Sequence, residues 1–475
     1  MGAGGGCRRE RGYGCEHATR FFAPGMSGGW SEVCELAVDP DRALVHVEGW
    51  QSWTPTTTYR LDDRQFLPTA SDTWVGNYGG SRPRPPAGVF QGEGLLVIDP
   101  GAGSAVVAVG ALAPDAPIPC VRLERVDATR VRVTADAPAV TLTVQADGGI
   151  AAGTAAFAER FASAAKVGAL RAAPSAWCTW YQYFTELGAT DVLDNLDAIT
   201  TRHLPVDVVL IDDGFARAPG DWLIPEPRFG DLALVIDRIR AGGLRAGLWT
   251  APFLAGADSV LAAEHPEWLL RATNGAPVLA VHNWKQDAYA LDLTHPGLRA
   301  HLRDIFATFL ELGIDLFKID FLFAGALDGA RHDPALTATE TYRLGLSDLR
   351  EAVRASYLIG CGAPLLPSVG LVDAMRVSAD TAPGWAARDG DLSLPGGESA
   401  ALSTIGRAYQ HGRYWVNDPD CLLVRPSVER RERRVRLIRR FGGLRSSSDA
   451  IAQLDDWGLA VTEQLLASVP PPLPF

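Results

Sequence analysis

No run of apolar residues in this sequence reaches the about 18 residues that a helix needs to cross a bilayer. The first twenty residues are Gly-rich and charged, and they lack the apolar stretch of a secretory signal. The seven cysteines are scattered and show no CxxC spacing, which argues against a disulfide framework and against a zinc site. We therefore expect a protein of the reducing cytoplasm that contacts no membrane and binds neither a metal nor an organic cofactor.

Basic charge is also scarce. The 475 residues include 56 acidic and 44 basic ones, so the net charge is −12, whereas nucleic-acid-binding proteins are typically basic. The Arg-rich segment 428–440 is the exception, but Glu429 and Glu432 interrupt it. We interpret this segment as the solvated face of a helix and expect no nucleic-acid partner.

Short β-rich runs occupy the first third of the chain, and several of them alternate apolar with polar residues. Such alternation is typical of antiparallel strands with one buried face. We predict an N-terminal antiparallel β-sandwich over residues 1–165, with about the first 25 residues disordered. Helical spacing predicts a connecting helix over 155–170. The strand candidates are ALVHVEGW, GLLVIDP, SAVVAVGAL, CVRLERV, RVRVTA and AVTLTVQA.

After residue 174 the pattern changes to short apolar strands that alternate with amphipathic helices. Eight such alternations in about 300 residues match a (β/α)8 TIM barrel, which we predict over residues 166–475. A doubly wound α/β sheet is the alternative, but no GxGxxG or P-loop motif opens any of the helices. The predicted strands are 176–181, 206–214, 245–253, 315–323, 356–362, 373–380, 413–420 and 442–449.

Polar residues concentrate at the carboxyl ends of these strands, which in a TIM barrel all open onto one mouth. Lys318 and Asp320 lie two residues apart on one strand, so their side chains point the same way, where charge is costly unless it is paired or functional. An Asp after a strand can instead cap the next helix or form a turn, and Asp213 before Gly214 allows that interpretation. The polar residues at the strand ends are Asp212, Asp213, Lys318, Asp320, Cys361, Arg376, Asp380, Asn417 and Asp418.

Two carboxylates at one mouth suit glycoside cleavage, in which an acid carboxyl and a second carboxylate flank the scissile bond. Asp320 and Asp380 are the candidates because of their positions at strand ends. No Ser-His-Asp arrangement and no His-rich cluster competes with them. An indole ring offers a flat apolar face to a pyranose, although each tryptophan can equally well belong to the core. The tryptophans predicted near the mouth are Trp177, Trp180, Trp222 and Trp249.

A series of motifs occurs in order from GWQSW at 49–53 to NDPDCLLVR at 417–425. Between them lie WCTWY, VVLIDDGF, GDWL, GLWTAPF, HPEWLL, ALDLTHP, FKIDFLFAGA and CGAPLLPSVGLVDAMRVSAD. This series resembles glycoside hydrolase family 36, the melibiase-type α-galactosidases of clan D. The resemblance implies a β-sandwich, a (β/α)8 barrel and a C-terminal β-domain. We expect this last domain to be missing here, because the chain stops shortly after the helix that follows strand 8.

The resemblance also implies a retaining α-galactosidase that removes terminal α-linked galactose from oligosaccharides of the melibiose and raffinose type. Asp320 would be the nucleophile and Asp380 the acid/base, and a retaining pair stands about 5–5.5 Å apart. Lys318 would favour the ionised nucleophile. The implied galactose contacts are Asp212 and Asp213 at O4 and O6, Lys318 at the O3/O4 edge, Arg376 and Cys361 on the O2 side, and Trp180, Trp249 and Trp53 as walls.

Several alternatives remain at this level. An α-N-acetylgalactosaminidase or an α-galactosyl transferase of the same clan would keep the mechanism, and the room beside Cys361 and Arg376 would decide whether an acetamido group fits. A non-catalytic galactose-binding protein is the other class, which the presence of both Asp320 and Asp380 disfavours. We also expect that the chain can form a homo-oligomer, in which Trp53 would reach the site of its own or a neighbouring subunit.

Overall fold

The computed structural model describes residues 18–22, 29–79, 82–101 and 103–470. The elements of the N-terminal part are β1 (Ala18–Phe22), β2 (Ser31–Ala37), β3 (Leu44–Val47), β4 (Thr57–Arg60), α1 (Ser71–Tyr78), β5 (Phe90–Glu93), β6 (Leu95–Asp99), β7 (Val106–Gly110), β8 (Cys120–Arg125), β9 (Arg130–Ala135), β10 (Ala139–Val144) and α2 (Gly149–Ala164). The strands form two antiparallel sheets, with orders β1-β10-β7-β6-β3-β4 and β2-β9-β8-β5. The predicted N-terminal β-sandwich is confirmed.

Burial on the two faces of strand β6 shows how the sandwich is packed. Leu96 and Ile98 share a hydrophobic cluster with Val121 of the smaller sheet. Leu95 and Val97 point the other way and pack in a cluster with Phe157 of helix α2. The unbroken apolar run of this strand therefore reflects burial on both faces, whereas β9 keeps the predicted one-sided alternation.

The second part of the chain alternates strands and helices. Its elements are β11 (Ser175–Cys178), α3 (Trp180–Tyr183), α4 (Ala189–Arg202), β12 (Val208–Ile211), α5 (Leu232–Ala241), β13 (Arg245–Thr250), β14 (Leu254–Gly256), α6 (Val260–Glu264), β15 (Leu279–Asn283), β16 (Gln286–Ala290), α7 (Pro296–Glu311), β17 (Ile314–Ile319), α8 (Ala338–Ala352), β18 (Tyr357–Gly360), α9 (Leu365–Ser368), β19 (Ala374–Arg376), α10 (Gly397–Gly406), β20 (Val416–Asp418), α11 (Arg431–Phe441), β21 (Arg445–Ser447) and α12 (Asp456–Leu466).

Eight parallel strands form the barrel, in the order β20-β19-β18-β17-β13-β12-β11-β21. The last strand, β21, pairs with the first, β11, and the Leu444 N–H donates to the carbonyl oxygen of Asn417 in β20 at 3.0 Å, which brings the two ends of the sheet together. Each of the eight predicted strands overlaps one of these, so the predicted (β/α)8 barrel is confirmed. The doubly wound alternative is wrong.

Side-chain alternation on β17 places charge inside the barrel. Leu316 belongs to the interior cluster, while Phe317 faces outward and packs against Phe306 of helix α7 with ring centroids 5.2 Å apart. Lys318 follows two residues after Leu316 and therefore points inward as well. Lys318 therefore lies inside the barrel, close to the mouth at which β17 ends.

Two features of the barrel differ from the sequence-based expectation. A three-stranded antiparallel sheet, β14-β16-β15, is inserted between β13 and helix α7, and no pattern in the sequence predicted it. Helix α11 contains the Arg-rich segment; Arg436 is exposed as expected, but Arg434 is buried and donates to the carbonyl oxygen of Ala382 at 2.7 Å. The solvated-face interpretation is therefore wrong for Arg434, which binds the loop after β19.

The segment 49–56 joins the sandwich to the barrel. Its Ser52 N–H donates to the carbonyl oxygen of Ala363, 3.1 Å away, and the Leu365 N–H donates to that of Trp50 at 3.0 Å. Because sandwich and barrel share one large hydrophobic cluster, the division at residues 165 and 166 stays a prediction.

The structure describes only a small part of the N-terminal stretch that is predicted to be disordered. The predicted disorder near the N-terminus concerns residues outside the described ranges, except Ala18–Phe22, which form β1. Within the described ranges, no helix has the length and apolar character needed to cross a membrane.

Candidate active site

Asp320 lies immediately after β17 and is half-buried. Its Oδ1 accepts a hydrogen bond from the Phe321 N–H at 2.7 Å, and its Oδ2 accepts one from Trp249 Nε1 at 3.1 Å. Burial raises the pKa of Asp320, and the neighbouring charge of Asp380 raises it further, whereas Lys318 lowers it. A carboxylate held by two donors and facing a cation is oriented as a nucleophile needs to be.

Lys318 of β17 forms an ion pair with Asp212, which follows β12, and strand β13 lies between these two strands. Its Nζ lies 2.7 Å from Asp212 Oδ2, and both side chains are more than nine-tenths buried. The Cys178 thiol also contacts Asp212 Oδ2, at 3.4 Å. Charges this deeply buried are stable only when paired, so each of the two holds the other in the site.

Asp213 has a different partner. Trp284, which follows β15 in the inserted sheet, donates from Nε1 to Asp213 Oδ2 at 2.6 Å. Burial raises the pKa of Asp213 to about 7, although the hydrogen bond from Trp284 opposes that change. The N-cap of the next helix, α5, is Asp231, so the helix-cap interpretation of Asp213 is wrong.

Asp380 lies in the loop after β19, on the other side of the mouth. Trp180 Nε1 donates to its Oδ2 at 3.2 Å, and the Arg376 guanidinium donates to its Oδ1. Arg376 is itself bound by Asp420, whose Oδ2 lies 2.6 Å from the guanidinium. The candidate acid thus shares its cation with a second carboxylate.

Asp420 anchors this arrangement. It accepts hydrogen bonds from the Tyr181 hydroxyl and from the Thr381 N–H, the latter at 2.8 Å. Its own N–H donates to Asp418 Oδ1 at 2.9 Å. Burial raises the pKa of both Asp418 and Asp420, and Arg376 opposes that change. One guanidinium therefore stabilises a group of three buried or half-buried carboxylates.

The remaining residues predicted for the site differ in where the structure places them. Cys361 is fully buried after β18, where burial and the charge of Asp320 raise the pKa of its thiol. Trp222 packs edge-on against Trp249, with ring centroids 5.8 Å apart, and Trp177 is a core residue whose Nε1 donates to the Asp449 carbonyl oxygen. Trp53 lies in the segment that docks on Ala363, and its place at the sugar stays a prediction.

Sequence reasoning missed several residues that complete the site. Trp284 gave no signal, because it belongs to a hairpin that returns to the mouth from an insertion. Tyr181 and Asp420 lie inside the motifs WCTWY and NDPDCLLVR, and their place in these motifs is the signal that could have identified them. Among the described residues, no cluster of histidine, cysteine or carboxylate side chains has the arrangement of a metal site.

The geometry provides two carboxyl groups at the ends of different strands, close enough for their charges to interact. Each accepts from an indole N–H, and each lies near one cation. Both groups are half-buried, but Asp320 lies near Lys318 whereas Asp380 is bound by Arg376, which separates their environments. Such a pair can divide the roles of nucleophile and proton donor.

The chain is similar to several glycoside hydrolases. The melibiase family model matches residues 171–357. The bifunctional α-galactosidase/sucrose kinase AgaSK of Mediterraneibacter gnavus is 28% identical over 177 residues, which make up 33% of this chain and 17% of that protein. The chain therefore spans less than a fifth of the length of this relative.

Solved structures extend the likeness beyond the matched segment. TtGalA, an α-galactosidase from Thermus thermophilus solved with p-nitrophenyl α-D-galactopyranoside, is 29% identical, with a TM-score of 0.77 over 95% of this chain and 92% of that chain. The α-galactosidase AgaA from Geobacillus stearothermophilus, at 13% identity, shares the fold with a TM-score of 0.62 over 91% of this chain and 61% of that one. Residues 171–357 therefore carry a melibiase domain, and the chain is similar in fold to solved α-galactosidases, including one of glycoside hydrolase family 36.

Proposed function

We propose that the protein is a retaining α-galactosidase that hydrolyses terminal α-linked galactose from oligosaccharides of the melibiose and raffinose type. The observation that supports this most directly is the pair Asp320 and Asp380, each bound by an indole N–H at the mouth of the barrel. Similarity to TtGalA, which was solved with p-nitrophenyl α-D-galactopyranoside and with stachyose, supports galactose as the sugar.

In the first step Asp320 attacks the anomeric carbon while Asp380 donates a proton to the leaving oxygen. The bond to the leaving group breaks, and a β-linked galactosyl ester forms on Asp320. In the second step Asp380, now ionised, takes a proton from water, and the resulting hydroxide attacks the same carbon from the opposite face. Two inversions restore the α configuration, and no group other than water is needed to balance the reaction.

Sugar recognition follows from the charged groups around the two carboxylates. Asp212 and Asp213 would accept hydrogen bonds from galactose O4 and O6, and Lys318 would donate to the O3/O4 edge. The Asp212–Lys318 ion pair fixes both side chains before the sugar arrives, so little rotamer freedom is lost on binding.

The opposite side of the sugar would contact side chains that are almost completely buried. Arg376 and Cys361 would lie on the O2 side, where both are almost completely buried and Arg376 already binds two carboxylates. Trp249 and Trp180 would enclose the ring, and Trp53 would approach from the sandwich.

The decisive experiment assays the wild-type protein and Asp320→Ala on p-nitrophenyl α-galactoside, with and without sodium azide. We expect hydrolysis by the wild type, loss in the variant, and recovery with azide, which attacks in place of the missing carboxylate and yields β-galactosyl azide. Asp315→Ala is the matched control, because Asp315 lies on the same strand but pairs with Arg245 on the outside of the barrel. A wild-type protein that cleaves only α-N-acetylgalactosaminides would show that the proposed sugar is wrong.

Location and assembly are further proposals. A cytoplasmic location rests on the scattered cysteines, and the five described ones are free thiols. Cell fractionation tests the location. Analytical ultracentrifugation tests whether a homo-oligomer forms.

A further inference from the structure

Phe184 is a large apolar side chain in an unusual place at the mouth. It is 43% exposed, although it follows directly on the short helix α3 that contributes Trp180. The two ring centroids lie 5.2 Å apart in an edge-on arrangement, and Trp180 in turn donates to Asp380 at 3.2 Å. An exposed aromatic ring therefore stands one residue away from the candidate acid.

The backbone conformation of Phe184 is strained, so the position of its ring is held by the surrounding structure. Its φ is 49° and its ψ is −142°, a backbone conformation that residues other than glycine rarely adopt. Strained residues of this kind persist only where the surroundings determine their conformation, and they concentrate at functional sites.

The surroundings do determine it. The Phe184 N–H donates to the Trp180 carbonyl oxygen, which closes the last turn of α3. The next residue, Thr185, packs so closely on Gly214 that a Cβ there would lie 3.3 Å from the Thr185 Cα. Gly214 directly follows Asp213. The turn at Phe184 and Thr185 therefore packs against the part of the site that is proposed to bind galactose.

We propose that Phe184 is the platform of a subsite for the leaving group of the substrate, which is the next sugar of an oligosaccharide or a planar aryl group. The inference rests on the proposed α-galactosidase function. The leaving group departs on the side of the residue that protonates it, which is Asp380. The exposed ring of Phe184 packs against Trp180, which binds Asp380, and such a ring suits the C–H side of a pyranose or an aromatic ring.

The test compares substrates that differ only in their leaving group. Raffinose and p-nitrophenyl α-galactoside have leaving groups large enough to reach Phe184, whereas the fluoride of α-galactosyl fluoride is too small. In Phe184→Ala we expect kcat/KM to fall about tenfold for the first two substrates and to stay within about twofold for the fluoride.

Two further variants separate this role from folding effects. Phe184→Gly removes the ring and also relieves the strained backbone, so it should fold at least as stably as the wild type and show the same substrate-dependent loss. Phe66→Ala is the matched control, because Phe66 is also 43% exposed but lies in the sandwich beside Tyr59. It should leave all three rates unchanged.

The outcomes are distinguishable. An equal loss on all three substrates would mean that Phe184 only supports Trp180, and unchanged rates on all three would mean that no leaving group contacts it; either result overturns the subsite. A folded wild-type protein that hydrolyses none of the three overturns the proposed function itself, and the subsite with it.

Discussion

Glu48 of the sandwich and Arg407 of the barrel form an ion pair in which neither side chain is exposed to solvent. Arg407 Nε lies 2.8 Å from Glu48 Oε1, across 359 positions of sequence. Arg407 also donates to the carbonyl oxygens of Ser52 and Thr54, at 2.6 and 2.7 Å, on either side of Trp53. The same pair thus joins the two parts of the molecule and fixes the segment that contains Trp53.

Loss of the Glu48 charge should destabilise the fold. Glu48→Gln leaves the Arg407 guanidinium buried without its counterion, which typically costs about 3–5 kcal/mol of unfolding free energy. Urea denaturation followed by tryptophan fluorescence measures the difference. Glu159→Gln is the control, since Glu159 is 62% exposed in its pair with Arg413 and should change stability by less than about 1 kcal/mol. Equal effects of the two substitutions would contradict this prediction.

Trp284→Phe should move the acid limb of the pH profile. The lost indole donor favoured the ionised form of Asp213, so its removal raises the pKa of Asp213 above the value of about 7 in the wild type. We expect the acid limb of kcat/KM on p-nitrophenyl α-galactoside to shift to higher pH. An unchanged limb would show that Asp213 need not be ionised for binding.

Asp213 also makes stability depend on pH. Its pKa in the folded protein, about 7, lies above the ordinary value of 3.8, so ionisation opposes folding as pH rises between these two values. Relative to Asp213→Asn, the wild type should therefore lose unfolding free energy from about pH 4 to about pH 7 and stay constant above that. Denaturation series across this range test the sign, and a difference that does not vary with pH would contradict it.

Asp420→Asn should slow the reaction most for leaving groups that need a proton. Without the second carboxylate, the Arg376 guanidinium is bound by Asp380 alone, so the contact that positions Asp380 changes. We expect kcat/KM to fall about tenfold on raffinose and less on α-galactosyl fluoride, whose leaving group needs little protonation. Asp389→Asn removes a charge from an exposed position in the loop after Asp380 and serves as the control. An equal loss on the two substrates would indicate a purely structural role.

Gly362→Ala should displace Asp320, the proposed nucleophile, without unfolding the barrel. Gly362 has φ +52°, and a Cβ there would lie 3.0 Å from Asp320 Oδ1, so the carboxylate must move. The contact is relieved by a shift of a few tenths of an ångström, which is smaller than the displacement of about 1 Å that can lower a rate about a hundredfold, so we expect kcat to fall about tenfold. Gly390→Ala adds a methyl group at φ +71° with no atom within 4 Å, so it introduces comparable backbone strain away from the site. Similar kcat values for the two variants would contradict the prediction.

Much of the barrel could be predicted from local sequence. Each strand is short and apolar, and inward and outward side chains alternate, as Leu316 and Phe317 do on β17. Because the carboxyl ends of parallel barrel strands open onto one mouth, this pattern also brought Asp212, Lys318, Asp320 and Asp380 to the same region. The family resemblance supplied their proposed roles, which burial patterns alone do not.

Partners that come from distant parts of the chain could not be predicted. Trp284, which lies in an inserted hairpin 71 positions away in sequence, donates to Asp213. Arg434 is buried, unlike the exposed arginines of its helix, and binds the loop after Asp380. Composition marked 428–440 as a charged surface, but only packing decided which arginine is buried. The buried Glu48 likewise gave no signal, because a charged residue in a strand-like segment normally indicates an exposed position.

By itself, the sequence determined the order of strands and helices, the sandwich before the barrel, and the strand ends at which the candidate carboxylates stand. Those features depend on periodic burial and chain direction, which are local properties. The tertiary structure decided which donors and cations surround each carboxylate, and hence that burial raises the pKa of Asp213 to about 7 while Arg376 is shared between Asp380 and Asp420. These depend on distances between residues remote in sequence, because electrostatic and hydrogen-bond interactions act through space.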